Sequence, residues 1–245
     1  MKATIEATIQ ATIATHDLAV RYGERTVIAR LNLAIASGQV LALLGGNGAG
    51  KTTTIQTLLG FVPPAAGRVL IGGRDLAAEP EAARRLAYLP ENVALYPYLS
   101  GIENLRYFCA LADIDVTPLE AGDMLAACGL QEGAHGARVS GYSKGMRQKV
   151  GLAIAHARSA CGMLLDEPTS GLDPAAANDF AARVRAAADR GMAVLMATHD
   201  LFNARQVADR IAIMQAGAIV AEVDAHTIGH QELEDLYLHH ARELA

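Results

Sequence analysis

The spacing of apolar positions divides this chain into elements before any motif is considered. Short β-rich runs bounded by turn residues predict strands in "IATHDLAV" (13–20), "VIARLNLAI" (27–35) and "GRVLIGG" (67–73). "QVLALLG" (39–45) is apolar, ends in glycines and runs into a helical pattern from Lys51 to Leu59. Strand, glycine turn and helix in that order open a parallel α/β unit. From about Glu91 to Arg158 helix formers dominate and β-branched runs are few, which predicts a mainly helical insert. "MLLDE" (163–167) and "AVLMATHD" (193–200) then return as buried strands, each ending in polar residues. "RIAIMQAGAIVAEV" (210–223) predicts a hairpin around Ala216-Gly217, and "QELEDLYLHHAREL" (231–244) a helical tail. No long internal repeat and no disordered linker is evident.

Composition narrows the function classes. The 245 residues suit one large domain or a domain with a subdomain, and 51% are apolar but only 4% aromatic. A net charge of −5 argues against a nucleic-acid partner. Three cysteines, odd in number and without metal-like spacing, fit reduced cytosolic thiols. No run approaches the roughly 18 apolar residues of a membrane span, and the N-terminus lacks a signal-peptide core. A membrane role would therefore be exercised through a partner. The "ATI" triplet repeats at a period of four near the N-terminus, which would align Ile5, Ile9 and Ile13 along one side of a helix. A frayed extension over residues 1–12 is the simpler expectation.

Chemistry enters with "GGNGAGKT", Gly45 to Thr52, which satisfies G-x-x-x-x-G-K-[ST] in full. Glycines at 45, 46, 48 and 50 let the backbone turn tightly and aim successive N–H groups at phosphate oxygens. Lys51 would reach the β and γ phosphates, Thr52 would supply an oxygen to Mg²⁺, and the following helix would present its positive end. The expected nucleotide contacts are Gly45, Asn47, Gly48, Ala49, Gly50, Lys51, Thr52 and Thr53. In "MLLDEP" the buried strand ends at Asp166, placed to hold Mg²⁺, and Glu167, placed to polarise an attacking water. A further apolar strand ends in "THD", which puts His199 where it could sense the γ-phosphate. His226, His230, His239 and His240 lack a carboxylate or cysteine framework in register, and no metal is expected there.

With these residues in hand, the chain resembles the ATP-binding subunits of ATP-binding-cassette (ABC) transporters from about Ile13 to Tyr237. "YSKGM" (142–146) resembles the family signature LSGGQ, and "SGLD" (170–173) the D-loop. The resemblance implies an α/β P-loop NTPase core with a mainly parallel sheet, an antiparallel β subdomain and a helical subdomain. It makes residues 13–245 one nucleotide-binding domain, with the helical subdomain at about 91–158 and the hairpin and tail at about 210–245. Further, it implies that Tyr22 stacks on adenine, that His199 is the switch histidine, and that Asp173 belongs to the nucleotide site. Two copies would dock head to tail, each offering Ser143 and Gly145 to the ATP held by the other's P-loop. Lys144, Arg147 and Lys149 are expected on a solvated helix face.

Two departures stand out. Where the family usually has glutamine after the strand entering the helical insert, "YLPEN" has Glu91. Its carboxylate can still ligate Mg²⁺ or orient water, but it adds negative charge near three phosphates, so weaker or more Mg²⁺-dependent engagement is expected. Lys144 replaces a signature glycine. "YLPEN…LYPYLSGIENL" and "YSKGMRQKVGLA" resemble ABC-2-type exporter ATPases, and among them the ATPase of the transporter for copper maturation of nitrous oxide reductase. That likeness implies an integral membrane permease docking at "ALYPYLS" (94–100) and a peripheral, cytoplasmic-face location at the inner membrane. The rival expectation is a soluble ABC ATPase acting on ribosomes or DNA. A single cassette, no heptads and an acidic balance weigh against it.

Overall fold

A computed structural model describes residues 11–242. Two sheets organise them. The first joins β1 (Ala11–Tyr22), β2 (Arg25–Ala36), β4 (Ala66–Ile71) and the two-residue β5 (Arg74–Asp75), antiparallel in the order β2-β1-β4-β5. The second contains β3 (Val40–Leu44), β6 (Leu86–Leu89), β7 (Gly162–Asp166), β8 (Ala193–Thr198), β9 (Arg210–Gln215) and β10 (Ala218–Asp224) in the order β10-β9-β3-β8-β7-β6. It is parallel from β9 through β6, with β10 antiparallel on one edge. The helices are α1 (Lys51–Leu58), α2 (Gly101–Ala110), α3 (Pro118–Ala127), α4 (Glu132–His135), α5 (Lys144–Ala157), α6 (Pro174–Asp189), α7 (Leu201–Val207) and α8 (His230–Arg242). None of the helices among the described residues is long and apolar enough to cross a membrane.

Every residue of β3, β7 and β8 is buried, which explains why these strands read as continuous apolar runs: both faces of the parallel sheet are covered. Alternate side chains serve two different cores. Val40, Ala42, Leu44, Met163, Leu165, Val194 and Met196 pack with apolar residues of α2, α3, α5, α6 and α7. Leu41, Leu43, Leu164 and Leu195 pack instead with Ile55 and Leu58 of α1 and with β1, β2 and β4. A one-residue slip in any central strand would exchange these sets, so burial fixes the register. Between β6 and β7 the regular elements are all helical, as the sequence implies, and α2 and α3 each begin with a reciprocal capping box, Ser100/Glu103 and Thr117/Glu120.

Some expectations shift. The first strand reaches back to Ala11, two residues into the expected extension, and Ala11 pairs with Ala36. Ile13 is buried in that strand rather than on a helix, while Ile5 and Ile9 lie outside the described residues. The β9–β10 hairpin turns where predicted, with φ of 46° at Ala216 and 81° at Gly217, the double left-handed geometry of a tight hairpin. A Cβ at Gly217 would overlap the Val27 carbonyl, and the Gly217 amide donates to Ala49 O at 2.9 Å. Gly217→Ala is expected to destabilise the fold by about 2–4 kcal/mol, from the steric clash and the positive φ together. Urea unfolding of the two proteins checks it.

Candidate functional site

The parallel register brings three strand ends to one edge. Leu44 lies opposite Thr198, and Asp166 opposite Ala197, so the segments after β3, β7 and β8 emerge side by side. Crevices beyond the carboxyl ends of parallel strands are where such sheets collect ligands.

The loop after β3 is built by backbone rather than side chains. Gly48 and Gly50 take φ of 81° and 111°, conformations that L side chains rarely adopt. Gly50 is the N-cap of α1, and the first amides of that helix have no carbonyl one turn back to receive them. Together with the helix dipole they form an anion cradle. Gly45 N donates to Thr198 O at 3.2 Å, tying the cradle to β8. Lys51 is buried, and its Nζ donates to Gly45 O at 2.6 Å and lies 3.4 Å from Glu167 Oε1.

Asp166, at the end of β7, accepts a hydrogen bond from Thr52 Oγ1 at 3.3 Å. Burial pushes its carboxyl above the usual range; the Thr52 bond and Lys51 pull the other way, and the charges of Glu167 and Glu91 add to the rise. A cation placed before this carboxylate would relieve its burial and its repulsion at once. Among the described residues no three His, Cys, Asp or Glu side chains cluster as a metal site. Thr52 and Asp166 instead supply a partial oxygen shell, the donor set that suits Mg²⁺ when phosphate and water oxygens complete it.

Glu167 sits on left-handed backbone, φ 44°. Its Oε2 accepts from Thr198 Oγ1 at 3.2 Å and His199 N at 3.3 Å, and lies 2.9 Å from His199 Nδ1. The carboxylate is thus aimed by its neighbours, and together with the imidazole it can hold a water beside a phosphate. A cleft of about 530 Å³ is lined by Tyr22, the cradle, Glu91, Asp166 and Glu167. Tyr22 is half exposed at the cleft, with its hydroxyl 3.4 Å from Gln56 Oε1 and its ring available for stacking.

Ser143, Gly145 and Asp173 do not line that cleft. The Ser143 hydroxyl caps α5 by accepting from Met146 N at 3.3 Å, and Asp173 caps α6 by accepting from Ala176 N at 2.9 Å. Gly145 faces Leu172 and Ala176. A second concavity, of about 470 Å³, opens between Glu167, Ser170, Leu172, His199 and Phe202, whose ring is 62% exposed.

The expected solvated face of α5 is only partly so. Lys149 Nζ is 2.7 Å from Asp179 Oδ2, and Lys144 Nζ is 3.6 Å from Glu91 Oε1. Within the run 94–100, Leu95 and Leu99 are half-buried, whereas Tyr96 and Tyr98 face solvent. Tyr96 packs edge-on against Tyr107, ring centroids 4.7 Å apart, because the turn before α2 folds back on that helix. Sequence reasoning missed Thr198, whose hydroxyl helps aim Glu167, and Gln148, which is buried and donates from Nε2 to Pro168 O just after the acidic pair. A polar residue on the apolar face of α5 was the one available signal for Gln148.

Residues 28–170 match the ABC transporter family, and the chain belongs to it. It is 38% identical over 198 residues to the uncharacterized ABC transporter ATP-binding protein YhcH of Bacillus subtilis, an alignment spanning 80% of this chain and 64% of YhcH. It is 33% identical over 214 residues to the Nod factor export ATP-binding protein I of Cupriavidus metallidurans, covering 86% of this chain and 71% of that protein. Its fold is similar to a solved ATP-binding subunit of an ABC transporter, with a TM-score of 0.81 and 30% identity, covering 94% of this chain and all of the other. The family is one of ATP-binding ATPases.

Proposed function

We propose that this chain binds and hydrolyses ATP as half of a head-to-tail homodimer and drives a separate integral membrane permease of ABC-2 type, in the export direction. One observation carries the reading: Lys51, Asp166, Glu167 and His199 converge at the mouth of the cradle, while Ser143 and Gly145 lie outside it on the same chain. One chain therefore holds two complementary parts of a site, and a symmetric pair makes two whole ones. The concavity beside Glu167, with exposed Phe202 at its wall, offers room for the second copy.

In this reading the cradle amides and Lys51 hold the β and γ phosphates, and Tyr22 stacks on adenine. Thr52 and Asp166 would hold Mg²⁺ in the cleft that Glu91 also lines. Bound there, Mg²⁺ would supply positive charge to offset that of the phosphate oxygens. Glu167 takes a proton from the attacking water, and His199 steadies that carboxylate and the γ-phosphate. The partner's Ser143 hydroxyl and α5 N-terminus contact the same phosphate, so closure and chemistry are linked.

The exporter assignment is supported by the 33% identity to the Nod factor export ATP-binding protein I of Cupriavidus metallidurans. Tyr96 and Tyr98 are the proposed contact for the permease, on the cytoplasmic face of the inner membrane. The finer reading, that the permease serves copper maturation of nitrous oxide reductase, rests on the two sequence segments alone. Loss of copper from that enzyme in a deletion strain is its test. For the central reading the measurement is light scattering of Glu167→Gln with saturating Mg²⁺-ATP. A dimer that reverts to monomer on nucleotide removal is expected. A protein that stays monomeric, with its permease present as well as absent, overturns head-to-tail sharing.

A further inference from the structure

The two departures from the family pattern meet in space. Glu91 is the extra carboxylate of the cleft, facing the same space as Asp166 and Glu167. Lys144, on the first turn of α5, places its Nζ 3.6 Å from Glu91 Oε1, and Ser170 Oγ donates to that same oxygen at 3.1 Å. The Lys144 side chain is about one-quarter exposed and lies beneath Gly171, where a Cβ would come 4.0 Å from Nζ. The cleft thus holds three carboxylates, with Lys51 beside Glu167 and Lys144 beside Glu91.

We infer that Lys144 is a positioning residue for Glu91: with Ser170 it holds the carboxylate on the signature side of the cleft and offsets its charge. The negative charge that the sequence adds near the phosphates comes with its own counter-charge, supplied by the second departure. Without Lys144, Glu91 becomes free to swing toward the cradle as an uncompensated anion, repelling the triphosphate. A glutamine at 91 needs no such partner, and a glycine at 144 could not provide one. The inference deepens the ATP-site reading and rests on it.

The test is a double-mutant cycle read by binding of a non-hydrolysable ATP analogue, with and without Mg²⁺, to the full chain. Lys144→Gln is expected to weaken binding roughly threefold to tenfold, most strongly without Mg²⁺, since one charge at several ångströms in a partly solvated cleft has that size of effect. Lys144→Arg is expected to keep wild-type affinity. In a Glu91→Gln background the Lys144→Gln loss is expected to vanish, and Ser170→Ala should follow the same dependence on residue 91. Wild-type protein that binds no nucleotide overturns the ATP-site reading. Wild-type binding with Lys144→Gln unchanged, or with an equal loss whether residue 91 is Glu or Gln, overturns the role of Lys144 alone. Should Lys144→Gln not fold, the Ser170→Ala cycle decides by the same criterion.

Discussion

Glu167→Gln is expected to lower ATP turnover by about 10²–10⁴-fold, the range for losing a general base, while changing ATP affinity only a few-fold. The amide fills the same volume, and its carbonyl can still accept from Thr198 Oγ1, now 3.2 Å from Oε2. What is lost is the basic oxygen 2.9 Å from His199 Nδ1. The arrangement therefore separates holding the nucleotide from cleaving it. Phosphate release by the purified variant beside wild type is the measurement; equal rates would remove Glu167 from the chemistry.

Lys51→Ala is expected to act on the other half of that separation. The buried ammonium, with Gly45 O at 2.6 Å, is fixed under the cradle, and charge-assisted hydrogen bonds to phosphate from such a group are worth about 1.5–3 kcal/mol. ATP affinity should fall on the order of 10- to 100-fold, with hydrolysis lost at ordinary concentrations as a result. Some stability should go as well, because Gly45 O and Glu167 Oε1 both lose a partner. Calorimetric titration reads the affinity, and urea unfolding the stability. Unaltered affinity in a folded variant would mean that phosphate is held by backbone alone.

The parts of this site that were legible in the sequence are those encoded locally. The cradle is a strand, a glycine turn and a helix in direct succession, so spacing alone specifies it. Asp166, Glu167 and His199 follow apolar runs that only a covered parallel sheet explains, and β7 and β8 form as those runs indicate. The hairpin was readable because Ala216-Gly217 must carry positive φ. Long-range pairings were not readable. The four residues of β6 form an edge strand too short to stand out by pattern, placed only by the family resemblance, and the parallel pairing of β9 with β3 joins segments remote in sequence. Lys144 shows the same limit: its neighbours in the chain suggest a solvated helix end, and only the fold brings Glu91 to it. Leu95 and Leu99 stayed open because apolar residues in a turn can either face solvent or fold inward, and composition does not distinguish the two.

The left-handed backbone at Glu167 has a consequence for how this protein can vary. A side chain there costs on the order of 1 kcal/mol or more that glycine would not. Replacing the residue with glycine would relieve the backbone but remove the carboxylate that accepts from Thr198 and His199 and pairs with buried Lys51. The strained backbone is carried by a side chain tied on three sides, so variation at this position is confined to residues that keep those ties.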